Sequence, residues 1–173
     1  MFEIKRLNHA VLYVRDAERT AAFFIDVLGF ERLQAYRMPG GAFIRAGGST
    51  NDHDLGLFSV GDGAGDSPAG HGTVGLYHLA WEVDTLADLA AFAQRLEEVG
   101  ALVGATDHGT TRALYAKDPD GLEFELTWIV PADRLGPDDG PAMRPLDLNR
   151  DIERFGPETL GGVGISRPAP ASA

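Results

Sequence analysis

The sequence carries five histidines, His9, His53, His71, His78 and His108, and no cysteine. Two of them open matching phrases, Leu7-Asn8-His9-Ala10 and Leu76-Tyr77-His78-Leu79. Two glutamates, Glu123 and Glu125, follow the turn Asp118-Pro119-Asp120-Gly121. Imidazole and carboxylate together can ligate a divalent cation, and imidazole can move protons near neutrality. Without thiols, disulfides, zinc–thiolate sites and cysteine-ligated iron–sulfur clusters are excluded.

The elements that must position these groups occur twice. Residues 7–30 and 76–100 each read as a strand with a histidine near its start, then a cap residue, an amphipathic helix and a glycine. Asp16 caps the first helix, whose expected apolar stripe is Phe23, Phe24, Val27 and Leu28. Thr85, with Asp88 three residues on, caps the second, which buries Leu89, Phe92, Leu96 and Val99. Gly29 and Gly100 end the helices. Short strands follow: Glu31 to Tyr36, Ala42 to Arg45 and Asp54 to Val60, then Ala101 to Gly104, Arg112 to Ala116 and Leu122 to Val130. The pattern is βαβββ, twice.

The expected organisation is therefore one α+β domain over 1–130, made of modules at about 5–60 and 74–130 with a Gly/Pro/Asp-rich linker at 61–73. From 131 to 173 the chain holds seven of the ten prolines. This extension is expected to wrap the body or a partner, with a helical turn near Asp151 to Phe155. Its last stretch, RPAPASA, is expected to be disordered.

Alternation sorts the strand residues onto two faces. Ala10, Leu12 and Val14 turn toward a helix, as do Leu79, Trp81 and Val83, and Phe124, Leu126 and Trp128. His9, His78 and the glutamates turn away. If the modules join in one curved mixed sheet, these faces line a common metal-binding cup. Two imidazoles and one carboxylate then form a facial triad suited to Fe(II) or a similar ion, with positions left open. Parity leaves Glu123 and Glu125 equivalent here, and a strand histidine also has the plain reading of a polar residue satisfied by its neighbours.

His53 opens HDLGLF and is either an acid or base beside the metal or a loop cap. The first-module counterpart of Glu125 is expected near Leu57, which cannot ligate. His108 and Tyr115 flank a strand and could hydrogen-bond a substrate oxygen or shuttle a proton. Arg112 could steady an anion or face solvent, Lys117 and Asp118 serve the turn, and His71 in the linker is expected to be solvated.

Net charge is −11, from 26 acidic and 15 basic residues. No Lys/Arg cluster offers a phosphate footprint, so nucleic acid and anionic membrane are poor partners. The absence of a long apolar run or a signal-like start makes the cytoplasm the expected compartment.

Residues 5 to 130 resemble the vicinal oxygen chelate superfamily, which includes glyoxalase I, bleomycin-resistance proteins and extradiol ring-cleaving dioxygenases. DPDGLEFEL is similar to its closing motif, and the resemblance implies Glu125 as the ligand beside His9 and His78. DHDLGLF and TDHGTTRALYAKDPDG resemble the type I extradiol branch. They imply His53 as the acid–base residue beside O₂, with His108 and Tyr115 holding the substrate. PLDLNRDIERFG, residues 145–156, resembles the tail of small catechol-dioxygenase-like members.

The implied function is Fe(II)-dependent extradiol cleavage of a small aromatic diol by O₂, with Mn(II) or another divalent metal as a substitute, in a homodimer. The rival readings are a glyoxalase-like metal-dependent isomerase or lyase, and a non-catalytic, bleomycin-resistance-like binder. Extradiol enzymes of this type commonly have two module pairs, whereas one pair fits here.

Overall fold

The computed structural model describes residues 2–162 apart from His71 and Asp138. The expectations for His71 and for RPAPASA lie outside the described residues.

The first module runs β1 (Ala10–Val14), α1 (Ala17–Leu28), β2 (Glu31–Arg32), β3 (Gly41–Arg45) and β4 (Leu55–Ser59). Asp16 starts α1 because its carboxylate accepts from the N–H groups of Glu18 (2.8 Å) and Arg19 (3.2 Å), a cap worth about 1 kcal/mol. Gly29 ends it in the left-handed region, at φ 72°. The buried face is Ala17, Thr20, Ala21, Phe24 and Leu28. Of the expected stripe, Phe23 and Val27 are only half-buried, because the small residues at 17, 20 and 21 rotate the packed face toward themselves. The sheet order is β1-β4-β3-β2, with β1 parallel to β4 and the other pairs antiparallel. The expected strand from Glu31 to Tyr36 shrinks to two residues, Glu31 and Arg32, which pair with Arg45 and Ile44 of β3.

The second module repeats this order. It runs β5 (His78–Glu82), α2 (Leu86–Glu98), β6 (Leu102–Asp107), β7 (Thr111–Lys117) and β8 (Glu123–Ile129). Its sheet is β5-β8-β7-β6, extended by β9 (Arg144–Pro145). Thr85 caps α2, its hydroxyl accepting from Asp88 N–H at 3.0 Å. Leu86, Leu89 and Leu96 are buried, Phe92 half-buried, and Val99 exposed because it is already the C-cap. The fold is thus α+β, built from two βαβββ modules with mixed sheets.

Two compact units result: Met1–Ser67 with the turn Asp118–Gly121, and Pro68–Lys117 with the chain from Leu122 onward. In the first unit, Asp120 of that turn accepts from Arg15 N–H (2.7 Å) and pairs with Arg15 and Arg19.

The extension is an integral part of the second unit. A 3₁₀ turn at Ala132–Arg134 leads to β9 and then α3 (Leu148–Phe155), a longer helix than the expected turn. Phe155 packs on Trp128 at 5.5 Å between ring centres, and Trp128 Nε1 donates to the Thr159 carbonyl (3.1 Å). Arg112, expected to meet an anion or solvent, is instead buried. It donates to Asp151 through Nε (2.6 Å), lies 3.0 Å from Asp107, and also binds the Gly109 carbonyl (2.8 Å). A guanidinium this deep needs both carboxylates, and the second arrives only with α3.

Candidate functional site

In the second unit, β5 and β8 run parallel with Ala80 opposite Glu125 and His78 opposite Glu123. His78 and Glu125 therefore rise on one face of adjacent strands, and His78 Nε2 lies 3.1 Å from Glu125 Oε2. This is within ion-pair distance. It is also about the edge length of an octahedron with bonds of ~2.1 Å, so the pair fits two adjacent positions on one divalent ion. His78 Nδ1 is buried without a hydrogen-bond partner.

Tyr115 faces Glu125 across the β7–β8 ladder, its ring 5.6 Å from that of His78. Its hydroxyl meets His108 Nε2 at 2.8 Å. Burial, reinforced by the negative charge of Glu125, pushes the Tyr115 phenol up to about 12, so it stays protonated at neutral pH. Glu123 has a different neighbour: its bond to the Tyr77 hydroxyl raises the Tyr77 phenol. Tyr77 was not singled out by sequence reasoning. Its only signal is its place before His78, where an aromatic reads equally well as packing.

In the first unit His9 precedes β1 by one residue and is exposed. Its ring stands 4.4 Å from His53, and its Nδ1 lies 2.7 Å from Asn8 Oδ1. The loop between β3 and β4 enforces this placement. Buried Asp54 accepts from Ala46 N–H (2.8 Å), Ser49 Oγ (2.9 Å) and Asn51 Nδ2 (2.7 Å), and Asn51 also donates to the Asn8 carbonyl (2.7 Å). His53 is set against Phe43 (5.3 Å, edge-on) and Tyr36 (5.9 Å), with its Nδ1 3.2 Å from the Asp52 carboxylate. The aromatic side of this setting was not singled out in the sequence, where Tyr36 and Phe43 read as ordinary strand residues; in the structure Tyr36 lies outside any strand.

The ladder also corrects the expected counterpart of Glu125. Ala80 faces Glu125, and at the matched step Val11 faces Gly56, not Leu57. Leu57 is fully buried on the helix side. A side chain at Gly56 would meet the Phe43 ring at 3.3 Å. The expectation of a non-ligating residue stands; its position moves by one.

The structure thus brings together His78, Glu125, Tyr115 and His108 in one unit, and His9 and His53 in the other. Among the described residues, no group of three or more His, Asp or Glu side chains is gathered to hold a metal ion.

Residues 6–126 match the model of the glyoxalase/bleomycin resistance protein/dioxygenase superfamily. The chain belongs to this superfamily. The chain is 34% identical over 122 residues to biphenyl-2,3-diol 1,2-dioxygenase 3 of Rhodococcus globerulus, covering 70% of this chain and 62% of that one. Two further dioxygenases are covered over only 41% and 38% of their lengths, so the chain spans less than two-thirds of each of these three relatives. The lactoylglutathione lyase of Salmonella typhimurium is 30% identical over 130 residues, covering 70% of this chain and 90% of the lyase. Among solved structures, the fosfomycin resistance protein of Mesorhizobium loti shares the fold. It has a TM-score of 0.55 and 23% identity, over 78% of this chain and all of that one. No helix among the described residues is long and apolar enough to cross a membrane.

Proposed function

We propose that this superfamily member is a metal-dependent enzyme acting on a small substrate that offers two neighbouring oxygens. The observation that carries the reading is the His78–Glu125 pair at 3.1 Å, with the Tyr115 hydroxyl and His108 beside it. His9 is the third donor, and the ion is Fe(II), with Mn(II) or another divalent cation as a substitute. When bound, the ion polarises the substrate oxygens and holds them in place. His108 and Tyr115 orient those oxygens and hold their protons. His53, next to His9, manages a proton of the reaction. We take the working form to be a homodimer.

Two finer readings follow. The comparisons favour glyoxalase-like isomerisation or lysis, because the lyase relative is covered almost end to end while the dioxygenases are covered in part. Extradiol cleavage of a catechol-like diol by O₂ rests on a local observation. Gly56 removes the carboxylate that would complete a four-ligand site, leaving room for a second small ligand, and His53 stands beside His9. A bleomycin-resistance-like binder needs neither the donor set nor His53.

One experiment separates the three. The full chain is loaded anaerobically with Fe(II) or Mn(II), and bound metal is quantified. It is then assayed for lactoylglutathione turnover and for oxygen uptake with catechol and biphenyl-2,3-diol. Turnover without oxygen supports the lyase class, and stoichiometric oxygen uptake supports ring cleavage. Failure to bind metal overturns the proposal itself.

A further inference from the structure

His108 is held from two sides, and one side is the extension. Its Nδ1 lies 3.2 Å from the Ala142 carbonyl, and the Ala142 N–H returns a bond to the His108 carbonyl at 3.1 Å. A carbonyl only accepts, so a ring proton sits on Nδ1, and in the singly protonated ring Nε2 keeps its lone pair. Tyr115 Oη is 2.8 Å from that lone pair, so the tyrosine donates to the histidine.

The segment that carries Ala142 is fastened at both ends. Asp139, buried, takes a forked pair of bonds from Arg154 of α3 (2.8 and 2.5 Å) and one from Gly136 N–H (2.6 Å). Asp107, buried and paired across the β6–β9 ladder with Arg144, lies within ion-pair reach of Arg112, Arg144 and Arg150 and accepts from Gly109 N–H (2.7 Å). Gly109 lies at φ 83°, where a side chain would run into the Asp139 and Gly140 carbonyls.

We propose that the extension fixes the tautomer of His108, and through it the direction of the Tyr115 hydroxyl, with Ala142 as the positioning residue. With its proton committed to His108, Tyr115 offers a lone pair to the ligand. The pair then selects a substrate with a protonated hydroxyl, which can pass its proton to the Tyr115 oxygen as the tyrosine proton moves to His108 Nε2. This substrate preference rests on the function proposed above; the tautomer assignment does not.

The test is two-bond ¹H–¹⁵N correlation NMR on the full chain with ¹⁵N-labelled histidine. Wild type should show His108 in the Nδ1–H form, and Tyr115→Phe should keep it, because Ala142 sets the tautomer. Ala142→Pro and Gly109→Ala, which displace the 139–142 segment, should release the ring to a mixture containing Nε2–H. An Nε2–H form in wild type, or loss of Nδ1–H in Tyr115→Phe, overturns the assignment. Retention of Nδ1–H in both displaced variants also overturns it. If those variants fail to fold, the first two spectra still decide. A wild-type chain without turnover but with the expected spectra would sink the function proposal and leave this one standing.

Discussion

Across the β1–β4 ladder Val11 faces Gly56, and at the matched step of the β5–β8 ladder Ala80 faces Glu125. The strand order, the cap-and-helix and the register are the same in both modules. The chemistry is not. In the second module the position carries a carboxylate with an imidazole, a phenol and a second imidazole around it. In the first it carries a hydrogen, and the space is taken by Phe43, which leans on His53. The repeat therefore supplies positions, and the single residues at those positions decide what polar groups each half presents.

The strongest way to break this comparison is at the carboxylate itself. Glu125→Ala should abolish metal binding and lower turnover at least ~10³-fold, because the paired His78 loses the partner that completes its half of the donor set. Glu123→Gln, two residues away, should change turnover less than about threefold and mainly weaken the acceptor of the Tyr77 hydroxyl by removing its charge. Metal analysis with steady-state assays checks both. Equal losses at the two positions would remove the distinction between them.

The second unit also differs in how it is held. Arg112 lies in its interior between Asp107 and Asp151, and no buried arginine occupies the first unit among its described residues. Arg112→Ala takes the close partner from buried Asp151, leaving it Arg150 at 3.6 Å, and one of three arginines from Asp107; it should destabilise the protein by about 3 kcal/mol, seen in chemical denaturation. The loss should be concentrated in the second unit, with the His9–His53 surroundings unfolding later. A loss below 1 kcal/mol would mean that the extension is only loosely coupled to its sheet.

Much of this framework is legible in residue order. Asp16, Thr85 and the two glycines bound the helices, and alternation put His78 and Glu125 on one face. Alternation could not separate Glu123 from Glu125. Parity is blind to depth along a strand, and the separation came from the motif resemblance; the structure adds that each glutamate meets a different tyrosine. The shift from Leu57 to Gly56 was missed because a glycine leaves no trace in a hydrophobic pattern. The roles of Arg112 and Ala142 were missed for another reason. One depends on a carboxylate 39 residues away, and the other acts through a backbone carbonyl, which every residue possesses.

On the proton-managing side, His53→Gln keeps a polar ring-sized side chain against Phe43 and Tyr36 but cannot exchange a proton near neutrality. Metal affinity should hold within about twofold while turnover falls ~10²-fold. Unchanged turnover on catechols and on lactoylglutathione alike would leave His53 a packing residue. A milder change sharpens the same contrast. Gly56→Glu places a carboxylate where the second module has one, at the cost of pushing Phe43 aside, about 1–3 kcal/mol of stability. It should tighten divalent metal binding and weaken any oxygen-dependent activity; unchanged affinity would mean that a carboxylate at position 56 takes no part in holding the ion.

The smallest expected effect concerns acid. Hydrogen bonds from Arg154 hold the Asp139 carboxyl down at about 2, against the cost of its burial. A carboxyl whose folded value lies below its unfolded value near 3.9 stabilises the fold fully above about pH 4. That contribution disappears as pH falls toward 2. With Arg154 half-exposed and screened, it should amount to on the order of 1–2 kcal/mol. The observable is local, because Trp128 sits against Phe155 and donates to Thr159, all carried by the same extension. Tryptophan fluorescence should therefore report loosening of α3 between pH 4 and 2, before the first unit's circular dichroism changes. Arg154→Gln should move that loosening upward in pH. If both units instead melt together at the same pH in both proteins, the Asp139–Arg154 pair does not set the acid limit of the extension.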